Sequence, residues 1–263
     1  MRLELSRDTT NRVRFLMEEL VPPIIRDTSF FCWLMERVWG RHIRDLADFR
    51  RRAPFLTQDE YERLYRAHSR VHAASDNSER CISRIISDVI GTSVCDVGCG
   101  TGYLLKRIRE RRPESSYTGI DFVLYPDQMT VEGIEFKRGM VEELPFADET
   151  FDTVLCTHVL EHILDYRKAL LELRRVTRRR LIIVVPQERE ARFTFNPHFQ
   201  FFAYPESLLR AIHPIPASHE CLCIGRDIYY REEKSSPSSS DVSRQAATGA
   251  GRPTSRSKPD LAL

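Results

Sequence analysis

Lysine is scarce in this chain. Of 40 cationic residues among 263, five are Lys, a bias that suits genomic base composition better than a binding surface, and nothing about partners follows from it. Long apolar runs are missing too: the longest is Phe30-Phe31-Cys32-Trp33-Leu34-Met35, far short of the roughly 18 residues of a membrane span. Integral membrane association is therefore not expected, and the charged N-terminus, MRLELSRDTTNRVRF, does not read as a secretory leader. The seven Cys are an odd number without a CxxC pair, which excludes a disulfide scaffold and suits buried, reduced thiols in the cytoplasm. An excess of one charge sign is absent as well. The total is +2, with +3 in residues 1–72 and +2 in 233–263, so residues 73–232 carry −3 and offer no basic surface for nucleic acid.

What is present falls into three parts. Residues 1–74 hold apolar positions at helical spacing, such as Val13, Leu16, Met17 and Leu20, interrupted by Pro22-Pro23 and Pro54, and read as a helical cap. Residues 233–263 have almost no large apolar side chain and read as a disordered tail. Between them, residues 75–232 alternate short apolar strands (93–97, 117–120, 134–137, 153–156, 181–185) with amphipathic helices (103–112, 166–176). A short helix after Pro205 then leads to strand-like 220–224 and 227–230. This alternation predicts an α/β, Rossmann-like, mostly parallel sheet with helices on both faces, and ligands beyond the carboxyl ends of its strands.

The first strand runs into the first helix through Cys95-Asp96-Val97-Gly98-Cys99-Gly100-Thr101-Gly102. Glycine alone takes up the positive φ and close backbone approach of such a turn at low cost. Asp121 follows at the end of the next strand, where an acid accepts hydrogen bonds from ribose hydroxyls. The third glycine comes one residue early for a dinucleotide loop, and the Asp96 carboxylate would repel a pyrophosphate while suiting a ligand with an ammonium and a sulfonium. These residues favour S-adenosylmethionine over NAD.

Taken with the GID at 119–121, EELPFADETFDTVLCTHVLEHI at 142–163 and RRVTRRRLIIVVP at 174–186, the loop gives residues 79–186 an order and spacing that resemble class I S-adenosylmethionine-dependent methyltransferases. The nearest likeness is the type 11 group, which includes ubiquinone and menaquinone methyltransferases. The resemblance implies a seven-stranded sheet. It also implies that Asp96, Gly98, Cys99, Gly100 and Gly102 hold the methionine portion, Asp121 with Phe122 the ribose, and Met140, Val141 and Glu142 the adenine, while Cys156, Thr157 and His158 line the cleft near the sulfonium. Met140 stands where the family usually has an acid; Glu142 or a backbone carbonyl is left to accept the adenine amino group.

Other constellations have plainer readings. His158-Val-Leu-Glu161-His162 matches the H-x-x-E-H zinc pattern in form, but the strand directly upstream leaves no long helix for it, and no metal is expected. His68 and His72 lack a third ligand. Cys221 and Cys223 read as two adjacent buried thiols, and Arg174, Arg175, Arg178, Arg179 and Arg180 as a solvated face. The segment from Arg192 to Tyr204, with Phe193, Phe195, Phe199 and Phe201 around Asn196 and His198, reads equally as an acceptor pocket or a packed cap.

Methyl transfer is an in-line displacement that needs alignment, exclusion of water and, for an oxygen acceptor, a base. His158, His162 and His198 are available, with His158 and His198 the first choices. The expected activity is methylation of a small, hydrophobic or aromatic-bearing acceptor. Alternatives are an RNA or protein acceptor, or a protein that binds the cofactor without catalysis.

Overall fold

The computed structural model describes residues 20–39, 49–57, 59–61, 63, 75–124, 131–190, 192 and 197–234. His68, His72, Phe193, Phe195, Asn196 and residues 235–263 of the expected tail lie outside them.

Seven strands form one sheet: β1 Ser93–Val97, β2 Ser116–Asp121, β3 Glu135–Arg138, β4 Phe151–Thr157, β5 Thr177–Pro186, β6 His219–Ile224 and β7 Asp227–Glu233. Their order is β3-β2-β1-β4-β5-β7-β6. Strands β1 to β5 pair in parallel, and β7 runs antiparallel to both β5 and β6. The expected α/β fold is therefore present. One boundary moves: Glu233 belongs to β7, paired with Arg180, rather than to the tail.

Period-two alternation explains why both faces are covered. Val154, Cys156, Leu181, Ile183, Val185 and Tyr230 point to one side, where Ala169, Leu170, Leu173 and Val176 of helix α6 (Tyr166–Val176) and Leu208 of α7 (Pro205–Ala211) meet them. Leu155, Ile182, Val184 and Tyr229 point to the other side, against Cys81, Ile82 and Ile85 of α4 (Glu79–Asp88) and Leu104, Leu105 and Ile108 of α5 (Tyr103–Arg109). Each fully buried Leu or Ile contributes roughly 1.5–3 kcal/mol. Ser78 caps α4 by accepting the Cys81 amide, and Asp165 caps α6 by accepting the Lys168 amide.

The N-terminal part has three described helices, α1 Pro23–Arg26, α2 Ser29–Trp39 and α3 Phe49–Arg52. Pro23 starts α1 instead of breaking a helix, since its missing N–H is unneeded at the first position. In α2, Phe31 and Met35 pack with Val21, while Phe30, Trp33 and Leu34 stay exposed.

Two expectations about surface residues are corrected. Cys221 is half-buried and Cys223 exposed, because β6 is an edge strand rather than a covered one. The arginines form a solvated face only in part: Arg178 and Arg179 stay exposed, while Arg174 makes a two-pronged pair with Glu232 at 2.8 and 2.6 Å, and Arg175 binds Glu172, Asp148 and two carbonyls. Arg178 reaches Asp152, and Arg180 reaches Glu233 and the Asp88 carbonyl. Their planar, many-donor heads staple β5 to its surroundings.

Candidate functional site

The carboxyl ends of β1, β2 and β4 open onto a cleft of about 1000 Å³, solvent at its mouth included. The glycine loop forms its floor. Gly98, Gly100 and Gly102 all have positive φ (78°, 56° and 74°), and a Cβ on Gly98 would stand 2.2 Å from Val159 Cγ2. The loop is tied to β2: the Gly98 amide donates to the Ile120 carbonyl at 2.7 Å and the Gly100 amide to Asp121 Oδ2 at 2.8 Å. Asp121 Oδ1 also accepts the Val123 amide at 3.0 Å.

Asp96, Gly98, Cys99, Gly100, Asp121, Phe122, Met140, Val141, Glu142, Thr157 and His158 all line this cleft. Three expected site residues do not. Gly102 begins α5, in contact range of Phe136, and Cys156 is fully buried within β4, because alternation turns its thiol into the core. His198 is buried behind the wall, with Nδ1 2.6 Å from Glu188 Oε2. Tyr61, Asp76 and Asn77 join the lining without any signal in local sequence, and His162, an available base in the sequence, joins it too. Tyr61 donates to the His162 carbonyl at 3.0 Å, and Asn77 to Thr157 Oγ1 at 3.0 Å, so both arrive through long-range contacts.

The electrostatics are one-sided. Asp76, Asp96, Asp121 and Glu142 line the cleft, and among the described residues no Lys or Arg does. Burial pushes the Glu142 carboxyl above its usual range, and its Oε2 has no hydrogen-bond partner. At the β4 end, burial works against a proton on His158, but Glu161 and Asp227 outweigh it and hold its pKa above the ordinary value. Burial, with His198 behind it, pushes His162 down to about 4. Burial also opposes the charge on Glu161; the His158 imidazole more than offsets this, and its pKa is lowered.

A mostly parallel sheet in this strand order, a glycine loop tied to the acid ending β2, and a carboxylate-lined cleft without Lys or Arg among the described residues define a class I S-adenosylmethionine-dependent methyltransferase domain. Residues 95–185 match the family described as Methyltransferase domain. Its cofactor is S-adenosylmethionine.

Relatives include a tRNA U34 carboxymethyltransferase from Nautilia profundicola, 40% identical over 31% of this chain and 29% of that enzyme. A phthiotriol/phenolphthiotriol dimycocerosates methyltransferase from Mycobacterium tuberculosis is 35% identical over 35% of this chain and 36% of its own length. A demethylmenaquinone methyltransferase from Listeria monocytogenes is 27% identical over 46% and 60%. The chain thus spans between 29% and 60% of these relatives. A solved methyltransferase from Aquifex aeolicus aligns with TM-score 0.46 and 16% identity, covering 58% of this chain and 88% of that one. No helix among the described residues is long and apolar enough to cross a membrane.

Proposed function

We propose that this protein transfers the S-adenosylmethionine methyl group to a small, uncharged or cationic acceptor with apolar surface. The observation that carries the reading is the lining of the cleft: four carboxylates and no Lys or Arg among the described residues. Such a lining attracts a ligand with a sulfonium and an ammonium and repels pyrophosphate or a nucleic-acid backbone. An RNA acceptor is disfavoured on that ground, although one relative's name refers to tRNA.

In this reading Asp96 faces the methionine ammonium, and Asp121 accepts from the ribose. The buried, unpartnered Glu142 Oε2 takes the adenine amino hydrogen bond that Met140 cannot accept. The cofactor supplies an electrophilic methyl carbon that leaves a neutral thioether once transferred. The chain's own work is alignment and exclusion of water. Tyr61, from the N-terminal part of the chain, stands in the cleft wall and in this reading helps to cover the cofactor. His158, held at the end of β4 with φ 55°, is the side chain proposed to contact the acceptor. His198, behind the wall, is not.

Calorimetric titration with S-adenosylmethionine, S-adenosylhomocysteine and NADH tests the cofactor site: micromolar binding of the first two with silence from NADH is expected, and NADH binding alone overturns the reading. Radiolabel transfer from S-adenosylmethionine into small-molecule, RNA and protein fractions then tests the acceptor. His158→Ala should lower turnover by about 100-fold or more with cofactor affinity retained.

A further inference from the structure

At the cleft wall, Glu161, His162 and His198 bring one ligand atom each to within 4.8 Å of one another. We propose that these three side chains hold a divalent first-row transition-metal ion. The H-x-x-E-H pattern at 158–162 does not build this site in the manner of a zinc-protease helix. Leu160–His162 is a single 3-10 turn, which supplies Glu161 and His162, and His198 comes from the loop after β5.

Each imidazole is already oriented as a ligand. His198 Nδ1 faces Glu188 Oε2 at 2.6 Å and His162 Nδ1 faces the Pro197 carbonyl at 2.9 Å, which favours the tautomer with the proton on Nδ1 in each ring. A carboxylate or carbonyl behind a histidine is the usual outer partner of a metal ligand. His162 Nε2 lies 3.9 Å from Glu161 Oε1. Glu161 is 1% exposed, and its Oε2 has no hydrogen-bond partner. Its other oxygen, Oε1, lies 3.5 Å from His158 Nδ1, so Oε2 is the buried atom left unpaired, which is costly.

The frame is also stiff. The Phe199 and Gln200 amides both donate to the Glu161 carbonyl, at 2.6 and 3.1 Å, and the Glu188 amide donates to the Phe202 carbonyl at 2.9 Å. The loop that carries His198 is thereby locked to the turn that carries the other two ligands. Ligand bonds of about 2.0–2.2 Å require the three atoms to close by roughly 1 Å. Two imidazoles and one carboxylate select zinc, iron, cobalt or manganese over calcium or magnesium, and three protein ligands leave further positions open. His162 also lines the cleft, so the proposed site adjoins it.

The test is titration of chelator-treated full-length protein with Co²⁺, followed by visible absorption, and with Zn²⁺, followed by calorimetry. One equivalent of each is expected to bind, with Co²⁺ bands that report nitrogen ligation and a rise in melting temperature reversed by chelator. Glu161→Gln and His198→Ala should weaken binding at least 100-fold, and Glu188→Gln 10–100-fold. Failure of folded wild-type protein to bind one equivalent of either ion overturns the proposal whether or not the variants fold, and so do variants that bind as wild type does. S-adenosylhomocysteine affinity, measured on the same samples, reads the cofactor site separately.

Discussion

Asp121 Oδ2 accepts the Gly100 amide at 2.8 Å, so the acid that ends β2 also fastens the glycine loop that ends β1. Hydrogen bonds to a charged acceptor contribute about 1.5–3 kcal/mol each. Asp121→Ala should therefore reduce S-adenosylhomocysteine affinity by about 100-fold or more and lower the melting temperature even without ligand. Calorimetry and thermal unfolding read the two effects, and unchanged affinity would sink the ribose assignment.

At Gly98 the loop meets the turn after β4. A side chain there is opposed twice, by the positive φ and by Val159 Cγ2, which would lie 2.2 Å from its Cβ. Gly98→Ala should destabilise by about 3 kcal/mol or more, from left-handed strain of about 1 kcal/mol plus overpacking. Adding Val159→Ala should recover the packing part alone. Urea unfolding of the single and double variants separates the two contributions.

Glu142 carries a carboxyl whose pKa burial has raised. Its charge therefore weighs against the ligand-free fold as pH rises through the ordinary carboxylate range, while below that range it is neutral and harmless. The stability gap between Glu142→Gln and wild type should open in favour of the variant from pH 4 to pH 7. Glu142→Ala should weaken cofactor binding about 10-fold through one lost hydrogen bond. Thermal unfolding across pH and a ligand titration check the pair of outcomes.

Asp88 has the opposite sign. Burial alone would raise its pKa, but the Tyr229 hydroxyl at 2.6 Å and Arg84 Nε at 2.7 Å outweigh burial and lower it. The stabilisation is present above the unfolded carboxylate pKa and is lost as pH falls through the lowered value. Asp88→Ala should cost about 2–3 kcal/mol at pH 7, with the difference from wild type shrinking toward pH 2. Denaturant unfolding at both ends of that range decides it.

Much of the fold is legible in the sequence because its causes are local. Apolar runs bounded by polar residues mark all seven strands, and Tyr166–Val176 matches its spacing to the residue. Gly98 and Gly100 announce a turn no other residue takes up cheaply, and Asp96 just before them announces the acidic character of the cleft. Arg174 and Arg180 mislead for the converse reason: a charge run looks the same whether it meets water or the Glu232 and Glu233 carboxylates that partner these two. Cys221 and Cys223 read as buried because a strand's own pattern does not tell an edge from a centre.

By itself the sequence determined the succession of strands and helices along the chain, the glycine loop and the acids that flank it, since backbone preference, period and charge act within a few residues. Only the tertiary structure decided which side chains share the cleft. It drew Tyr61 and Asn77 in, turned Cys156 into the core by strand alternation, and placed His198 behind the wall against Glu188, beside Glu161 and His162. Such convergence depends on how loops after separate strands cross in space, and distance along the chain carries no record of it.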